Sequence, residues 1–211
     1  MATQTSSFTN FNTLARAGEY TDASNTFKWV NRTNAQTSNN SYAILSLSDG
    51  SFNTQAAPTA LTSQTVNYFV VTGLSSTVPA GATINGITVK IERYNSVSVG
   101  DFTLTINDSA IYLTKDGSTL VGNNKSTGAA WQSSDNNTTV DFGGSADLWG
   151  TSLTAAEVNA STFGVMISPS LTFDNSENGA NVKIDQVTIT IEYTGGTVRR
   201  RAVFSSECNF D

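Results

Sequence analysis

Two segments of the chain alternate strictly between apolar and polar side chains. Residues 87–92, within the predicted strand 84–93, and residues 187–193 place an apolar side chain at every second position, and threonine, lysine or glutamate between them. The apolar members are Ile87, Val89, Ile91, Val187, Ile189, Ile191 and Tyr193. Because successive side chains of a strand point to opposite faces, this pattern buries one face of the strand and exposes the other to solvent. It predicts two amphipathic strands of an antiparallel sheet.

Shorter apolar runs predict further strands. They lie at residues 42–47, 65–72, 102–106, 111–113 and 163–167, with a predicted break at Asn107–Asp108. Turn signals separate them, at Gly73, at Pro79–Gly81 and at Lys115–Gly117. Seven or eight short strands with turns between them predict an all-β fold, an antiparallel β-sandwich that is jelly-roll-like.

The sequence predicts a single short helix. Thr154 and Glu157 have the spacing of a capping box, and the helix they begin can run to about Asn159. Residues 117–150 precede it and are rich in glycine, asparagine and serine. We interpret that stretch as a long ordered loop or as short edge strands. Gly86, at the start of an alternating segment, predicts a β-bulge.

Composition divides the chain into three parts: an N-terminal arm at residues 1–25, a sandwich domain at 26–195 and a C-terminal tail at 196–211. The arm is polar, with scattered phenylalanines and no sustained period. Residues 1–195 carry eight basic and fifteen acidic side chains, a net charge of −7, within a chain whose formal net charge is −6. An acidic body excludes nucleic-acid binding through a broad basic face.

Three of the eleven basic residues form one run, Arg199, Arg200 and Arg201, in the tail. This run is either a solvated tail or an element that docks on an acidic neighbour, such as another copy of the body. Phosphate binding is a third interpretation. Together with Phe204, which follows it, the run forms a candidate protein interface.

The three tryptophans have different predicted places. We expect Trp29 and Trp149 in the core, with a ligand-stacking role as the alternative for Trp149. Trp131 lies among small and polar residues. It is the best candidate for an exposed interface aromatic, and a core position is the alternative.

Most catalytic chemistry lacks the residues it needs. The chain has no histidine and a single cysteine, Cys208, so histidine catalysis, an intrachain disulfide and a cysteine–histidine nucleophile are excluded. Five loop acids remain for a carboxylate pair or a loop Ca²⁺ site, although the regular calcium-loop spacing is absent: Asp135, Asp141, Asp147, Asp174 and Glu177. We therefore expect no enzyme and no cofactor. No signal peptide or stretch of transmembrane length is visible, so no membrane role is expected.

Several phrases occur in one order along residues 27–194. They include Trp29–Ala35, Pro79–Arg93, Tyr112–Gly117, Gly143–Gly150, Asn159–Val165 and Asp185–Tyr193. In this combination the chain resembles a group of uncharacterised, jelly-roll-like β-rich structural proteins of phages and prophages. The arm and the tail lie outside the match.

The resemblance implies a non-enzymatic structural role in a virion, as a capsid decoration or tail component. The partners would then be other copies of the chain and other virion proteins, and the protein would be made in the host cytoplasm and released by lysis. A carbohydrate- or receptor-binding module is the alternative, with Trp131 and Tyr94 as its candidate exposed rings and a surface glycan as ligand. A carboxylate-pair enzyme is the third hypothesis.

The charge division between body and tail generates a first prediction. Deleting residues 196–211 is expected to weaken self-assembly while the sandwich stays folded, because the deletion removes the arginine run but no predicted strand. Light scattering would measure the assembly, and circular dichroism the fold. Unchanged assembly of the folded truncated chain would show that the tail is no docking element.

Overall fold

The computed structural model describes residues 1–17, 19, 21–22, 25–47, 63–97, 104–133, 137–173 and 180–196. In this part of the chain the strands are β1 (Ala2–Ser7), β2 (Asn10–Leu14), β3 (Thr21–Asp22), β4 (Asn25–Val30), β5 (Ala43–Leu47), β6 (Ser63–Thr65), β7 (Tyr68–Thr72), β8 (Thr83–Val97), β9 (Leu104–Thr114), β10 (Thr139–Gly144), β11 (Gly164–Phe173) and β12 (Ala180–Thr194). A 3₁₀ helix spans Arg32–Gln36, and the helix α1 spans Ala155–Val158.

These strands form two packed antiparallel sheets, so the predicted all-β sandwich is confirmed. In the first sheet the order is β10-β8-β12-β5-β4-β3, and β1 shares with β5 the edge of β12 opposite β8. In the second, β11 pairs with β9 along one edge and with β7 and β6 along the other, and β2 lies outside β7. The narrower expectation of a jelly roll stays a prediction.

The core lies between the sheets and draws on both of them. Trp29 and Trp149 are fully buried in it, which confirms their predicted places. Trp29 packs on Phe69 of the facing sheet, with ring centroids 5.0 Å apart. A second apolar cluster of Tyr68, Val70, Ala110 and Met166 lies on the other face of β7, β9 and β11.

The alternation along β8 and β12 is confirmed over most of its length. Ile87, Val89 and Ile91 are buried, whereas Thr88 and Lys90 are half-exposed. Beyond Ile91 the alternation ends, because residues 91–95 are all buried. The bulge predicted at Gly86 is also confirmed, since the register with β12 shifts there. A Cβ at Gly86 would lie 2.3 Å from the backbone of Ser145, so this close approach requires glycine.

The N-terminal segment is not an arm over residues 2–14, so that prediction is wrong. β1 pairs with β12 in one sheet, and β2 pairs with β7 in the other. Phe8, in the link between them, is fully buried in the core. Thr9 holds the crossing through a bond from its hydroxyl to the carbonyl of Gly73, at 2.8 Å. The side chains of β1 are exposed or half-exposed on both of its faces. For this reason its sequence shows no alternation of apolar and polar residues.

Two predicted strand boundaries also differ from the structure. β9 continues through Asn107–Asp108, where a break was predicted, and accommodates the irregularity as a register shift against Ser168 and Pro169 of β11. Residues 65–72 were predicted as one strand, but two short strands, β6 and β7, pair with different parts of β11.

The N-terminal crossing gives a stability prediction. Phe8→Ala is expected to lower the free energy of unfolding by about 3–5 kcal/mol, because it leaves a cavity where a fully buried ring stood. Equilibrium chemical denaturation measures the change. Thr3→Ala, at an exposed position of β1, is the control and should change the value by less than about 0.5 kcal/mol. If the two variants were equally stable, the segment would not belong to the core.

Candidate functional site

The two aromatic residues proposed for an exposed surface are buried. Trp131 is 3% exposed and Tyr94 is 6% exposed, so neither is the exposed ring that the binding-module alternative needs, and Trp131 takes the core position that was its alternative. Tyr94 packs edge-on against Tyr42, and the ammonium of Lys183 lies 5.2 Å from the Tyr94 ring centroid. The other candidate interface residues, Arg199, Arg200, Arg201 and Phe204, lie outside the described residues.

Trp131 is part of a buried polar cluster between the sheets. Arg93 of β8 forms an ion pair with Asp108 of β9, with 2.5 Å between Nη2 and Oδ2. The indole N–H of Trp131 donates to the other carboxylate oxygen at 2.8 Å. The guanidinium carbon of Arg93 lies 5.1 Å from the Trp131 ring centroid, and the side chain of Asn95 donates to the carbonyl of Trp131 at 2.9 Å.

This cluster joins three parts of the chain that are distant in sequence. Burial removes the charges of Arg93 and Asp108 from water, and their mutual contact and the bond from Trp131 offset part of that cost. The compensation is incomplete, because Nε of Arg93 has no hydrogen-bond partner among the described residues. A cluster so enclosed offers a ligand no access, and we interpret it as structural.

The segment before Trp131 covers one edge of the second sheet. It runs back along β9 in irregular conformation, and four backbone bonds of 2.7–3.0 Å join the two. Asn124 adds two side-chain bonds to the same edge, accepting from Ile111 and donating to Ser109. Six backbone groups along this edge are therefore bonded within the chain, and part of the predicted long loop of residues 117–150 covers the edge.

Trp149 holds this covering segment against β8. Its backbone has a φ of 59°, a left-handed conformation that is costly for a bulky residue. Its indole N–H donates to the carbonyl of Ile87 at 3.0 Å, and its amide donates to Asp147 at 2.7 Å. Burial raises the pKa of Asp147, but bonds from Lys125 and from the Trp149 amide outweigh that effect and lower it.

The edge of the first sheet at β10 is arranged differently. In β8, the amide N–H groups of Ile87 and Asn95 point towards the side of β10, since they donate to Asp147 and Gln132. Backbone groups alternate in direction along a strand, so Val89 and Ile91 also face β10. Their partners there are Phe142 and Val140.

The residues of β10 that alternate with those partners, Thr139, Asp141 and Gly143, consequently direct their backbone groups away from β8. Thr139 and Asp141 are the clearest cases, and both have exposed side chains. Among the described residues, none pairs with this outer edge of β10. The first sheet therefore ends in a strand whose outward N–H and C=O groups have no partner strand in the described part of the chain.

A groove lies at the end of the sandwich where β8 begins. It has a volume of about 490 Å³ and is lined by Ala80, Gly81, Ala82, Thr83, Ile84, Leu153, Thr154, Ala155, Ala156 and Asn159. The helix α1 forms one wall, and its predicted capping box is confirmed. Lys115, 2.8 Å from Glu157, lowers the pKa of that carboxyl, and the Thr154 amide adds to the effect.

The candidate acids do not form a carboxylate pair in the part of the chain that the structure describes. Asp141 pairs with Lys90 at 3.1 Å and Asp147 with Lys125 at 2.6 Å. The other three, Asp135, Asp174 and Glu177, lie outside the described residues.

Burial raises the pKa of Glu192, whose carboxylate lies on the first sheet. No group of three or more potential metal ligands occurs in the described ranges.

Within the same ranges, no helix is long and apolar enough to cross a membrane. Comparison of the chain with protein-family models, with curated proteins and with solved structures finds no match.

The buried ion pair gives a second stability prediction. Asp108→Ala is expected to lower the free energy of unfolding by about 3–5 kcal/mol, because it leaves the guanidinium of Arg93 buried without its counter-charge. Asp141→Ala breaks an exposed ion pair and should cost less than about 1 kcal/mol. Both are measured by chemical denaturation. Equal losses would contradict a structural role for the buried cluster.

Proposed function

We propose that this chain is a non-enzymatic structural protein of a bacteriophage particle, a capsid decoration or tail component that acts by assembling with copies of itself and with other virion proteins. Its place is the virion, after synthesis in the host cytoplasm. The observation that carries the assembly part is the open edge at β10, where no described residue pairs with the outward backbone groups of Thr139 and Asp141. The phage part rests on the resemblance of residues 27–194.

An open edge strand is a template for another chain. Its unpaired N–H and C=O groups can add a strand from a partner through main-chain hydrogen bonds. The contrast with the second sheet supports this use, because the segment before Trp131 covers the edge at β9. If two copies met at their β10 strands, the contact would be isologous. It would join the first sheets of the two sandwiches into one continuous sheet.

The alternative, a carbohydrate- or receptor-binding module, needs exposed aromatic rings. Burial of Trp131 and Tyr94 withdraws the two rings that were its candidates. The carboxylate-pair hypothesis needs two close acids in a cleft, and Asp141 and Asp147 instead each pair with a lysine. The assembly proposal has the stronger support because it uses a feature that the structure describes.

A proline placed on the open edge tests the proposal. Asp141→Pro removes an N–H that points away from β8, so it should weaken self-association by about tenfold or more while β10 stays in its sheet. Asp141→Asn is the matched control, because it also loses the ion pair with Lys90 but keeps the N–H. Light scattering over a range of concentrations measures the association.

The same measurement on the unmodified chain, alone and with particles that lack it, addresses the wider proposal. Oligomers or saturable binding to those particles is the expected result. A monomer that ignores the particles would contradict a structural role in them. Oligomers that form equally well with proline or asparagine at position 141 would retain self-assembly but exclude β10 as its edge.

A further inference from the structure

We propose that the groove at the start of β8 is the docking site of this chain's own C-terminal tail, with Val203 and Phe204 as the inserted residues. The contact is intramolecular. It does not depend on the proposed role in a particle.

The shape and chemistry of the groove suit an apolar side chain. Its floor consists of the buried residues Ala82, Ile84 and Ala155, and its rim includes the exposed Ala80 and Ala156. The small side chains leave about 490 Å³, within the range of roughly 300–1,000 Å³ typical of binding clefts. An aromatic ring with a neighbouring valine would bury apolar surface that the groove now leaves open.

Hydrogen bonds within the sandwich hold the walls of the groove in place without an occupant. The capping box holds the start of α1, with Thr154 and Glu157 bonded to each other in both directions. Asn159 ties the end of that helix to Val78, two residues before the lining begins at Ala80: its amide group donates to the carbonyl of Val78 at 2.8 Å and accepts from the amide of the same residue at 3.0 Å. A preformed cleft loses little entropy when it is filled.

The course of the chain identifies the occupant. β12 ends at Thr194, opposite Thr83 at the start of β8, so the chain leaves the sandwich beside the groove. Gly195 and Gly196 both have positive φ angles, 72° and 94°, which glycine adopts without strain. Gly196 packs so closely on Pro79 and Ala82 that an added Cβ would lie 2.7 Å from the Cβ of Pro79. The last described residue before the tail therefore lies against Ala82 of the groove.

The sequence beyond Gly196 supplies a suitable apolar group within reach. Val203 and Phe204 are adjacent, and Phe204 is the first aromatic residue after the turn. The seven residues 197–203 span at most about 25 Å when extended, enough to fold back into a groove that begins where Gly196 ends. Proximity favours the chain's own tail over that of a neighbour, because a short tether gives an effective concentration of about millimolar.

Docking of Phe204 would have one consequence for the charged part of the tail. With both of its ends held, the segment carrying Arg199, Arg200 and Arg201 becomes a short loop at the end of the sandwich. The arginine run would then be presented in one place, where an acidic neighbour can meet it.

Disulfide trapping tests the contact, because Cys208 is the chain's only cysteine and lies four residues beyond Phe204. Ala156→Cys places a second thiol on the exposed rim of the groove. Mild oxidation at low protein concentration should then form an intramolecular disulfide, detected as a faster-migrating monomer on a non-reducing gel. Ser133→Cys is the control: it is exposed next to Gln132, which bonds to Asn95, and that end of β8 is about 40 Å from Thr83.

The expected result is closure at least about tenfold faster for Ala156→Cys than for Ser133→Cys, and about tenfold slower again when Phe204→Asp is added to the first variant. Equal rates at the two positions would overturn the proposal. Covalent dimers of Ala156→Cys that join position 156 of one copy to Cys208 of another, identified by peptide mapping, would also overturn it, because the groove would then hold a neighbour's tail. The trapping experiment does not measure self-assembly. A negative result would therefore overturn the tail contact and leave the proposed function unaffected.

Discussion

The pairing of β8 with β12 is the interaction on which the rest of the sandwich depends. Two fifteen-residue strands run antiparallel along almost their whole length, from Thr83 opposite Thr194 to Val97 opposite Ala180. β12 provides its free edge to β1 and β5, and β8 provides its free edge to β10. Because side chains alternate along both strands, this ladder also supplies the isoleucine and valine face on which the second sheet packs.

The two ends of β8 have opposite characters, and the difference follows from what each end meets. At Arg93 and Asn95, the chain places charged and amide groups inside the sandwich, where the bonds to Asp108 and Trp131 confine them to one arrangement. At Thr83 and Ile84, five of the ten residues that line the groove are alanine or glycine, and these small side chains leave open space. One end is therefore closed by polar contacts of defined geometry, and the other is left as an apolar groove.

Much of this fold could be predicted from local sequence pattern. The alternating strands, the bulge at Gly86 and the capping box at Thr154 each depend on residues a few positions apart, so the sequence shows them directly. β1 and Trp131 could not be found in this way. β1 is half of a pair whose partner is the last described strand, and its exposed face carries no apolar period. Trp131 lies among polar neighbours, and its burial depends on Arg93 and Asp108, which are distant in sequence.

The open edge and the groove are also tertiary features, and neither has a sequence signature of its own. An edge is open or closed according to what the rest of the chain covers. In the described part of the chain, the segment held by Trp149 covers the β9 edge and does not cover the β10 edge. The left-handed backbone of Trp149 is the cost of that arrangement, offset by the bonds to Ile87, Asp147 and Asn123. Both features lie along β8, with Gly144 of β10 opposite Ile87 and the groove at Ile84. A tail docked in the groove would thus lie within a few residues of the edge proposed to meet another chain, so that one contact can influence the other.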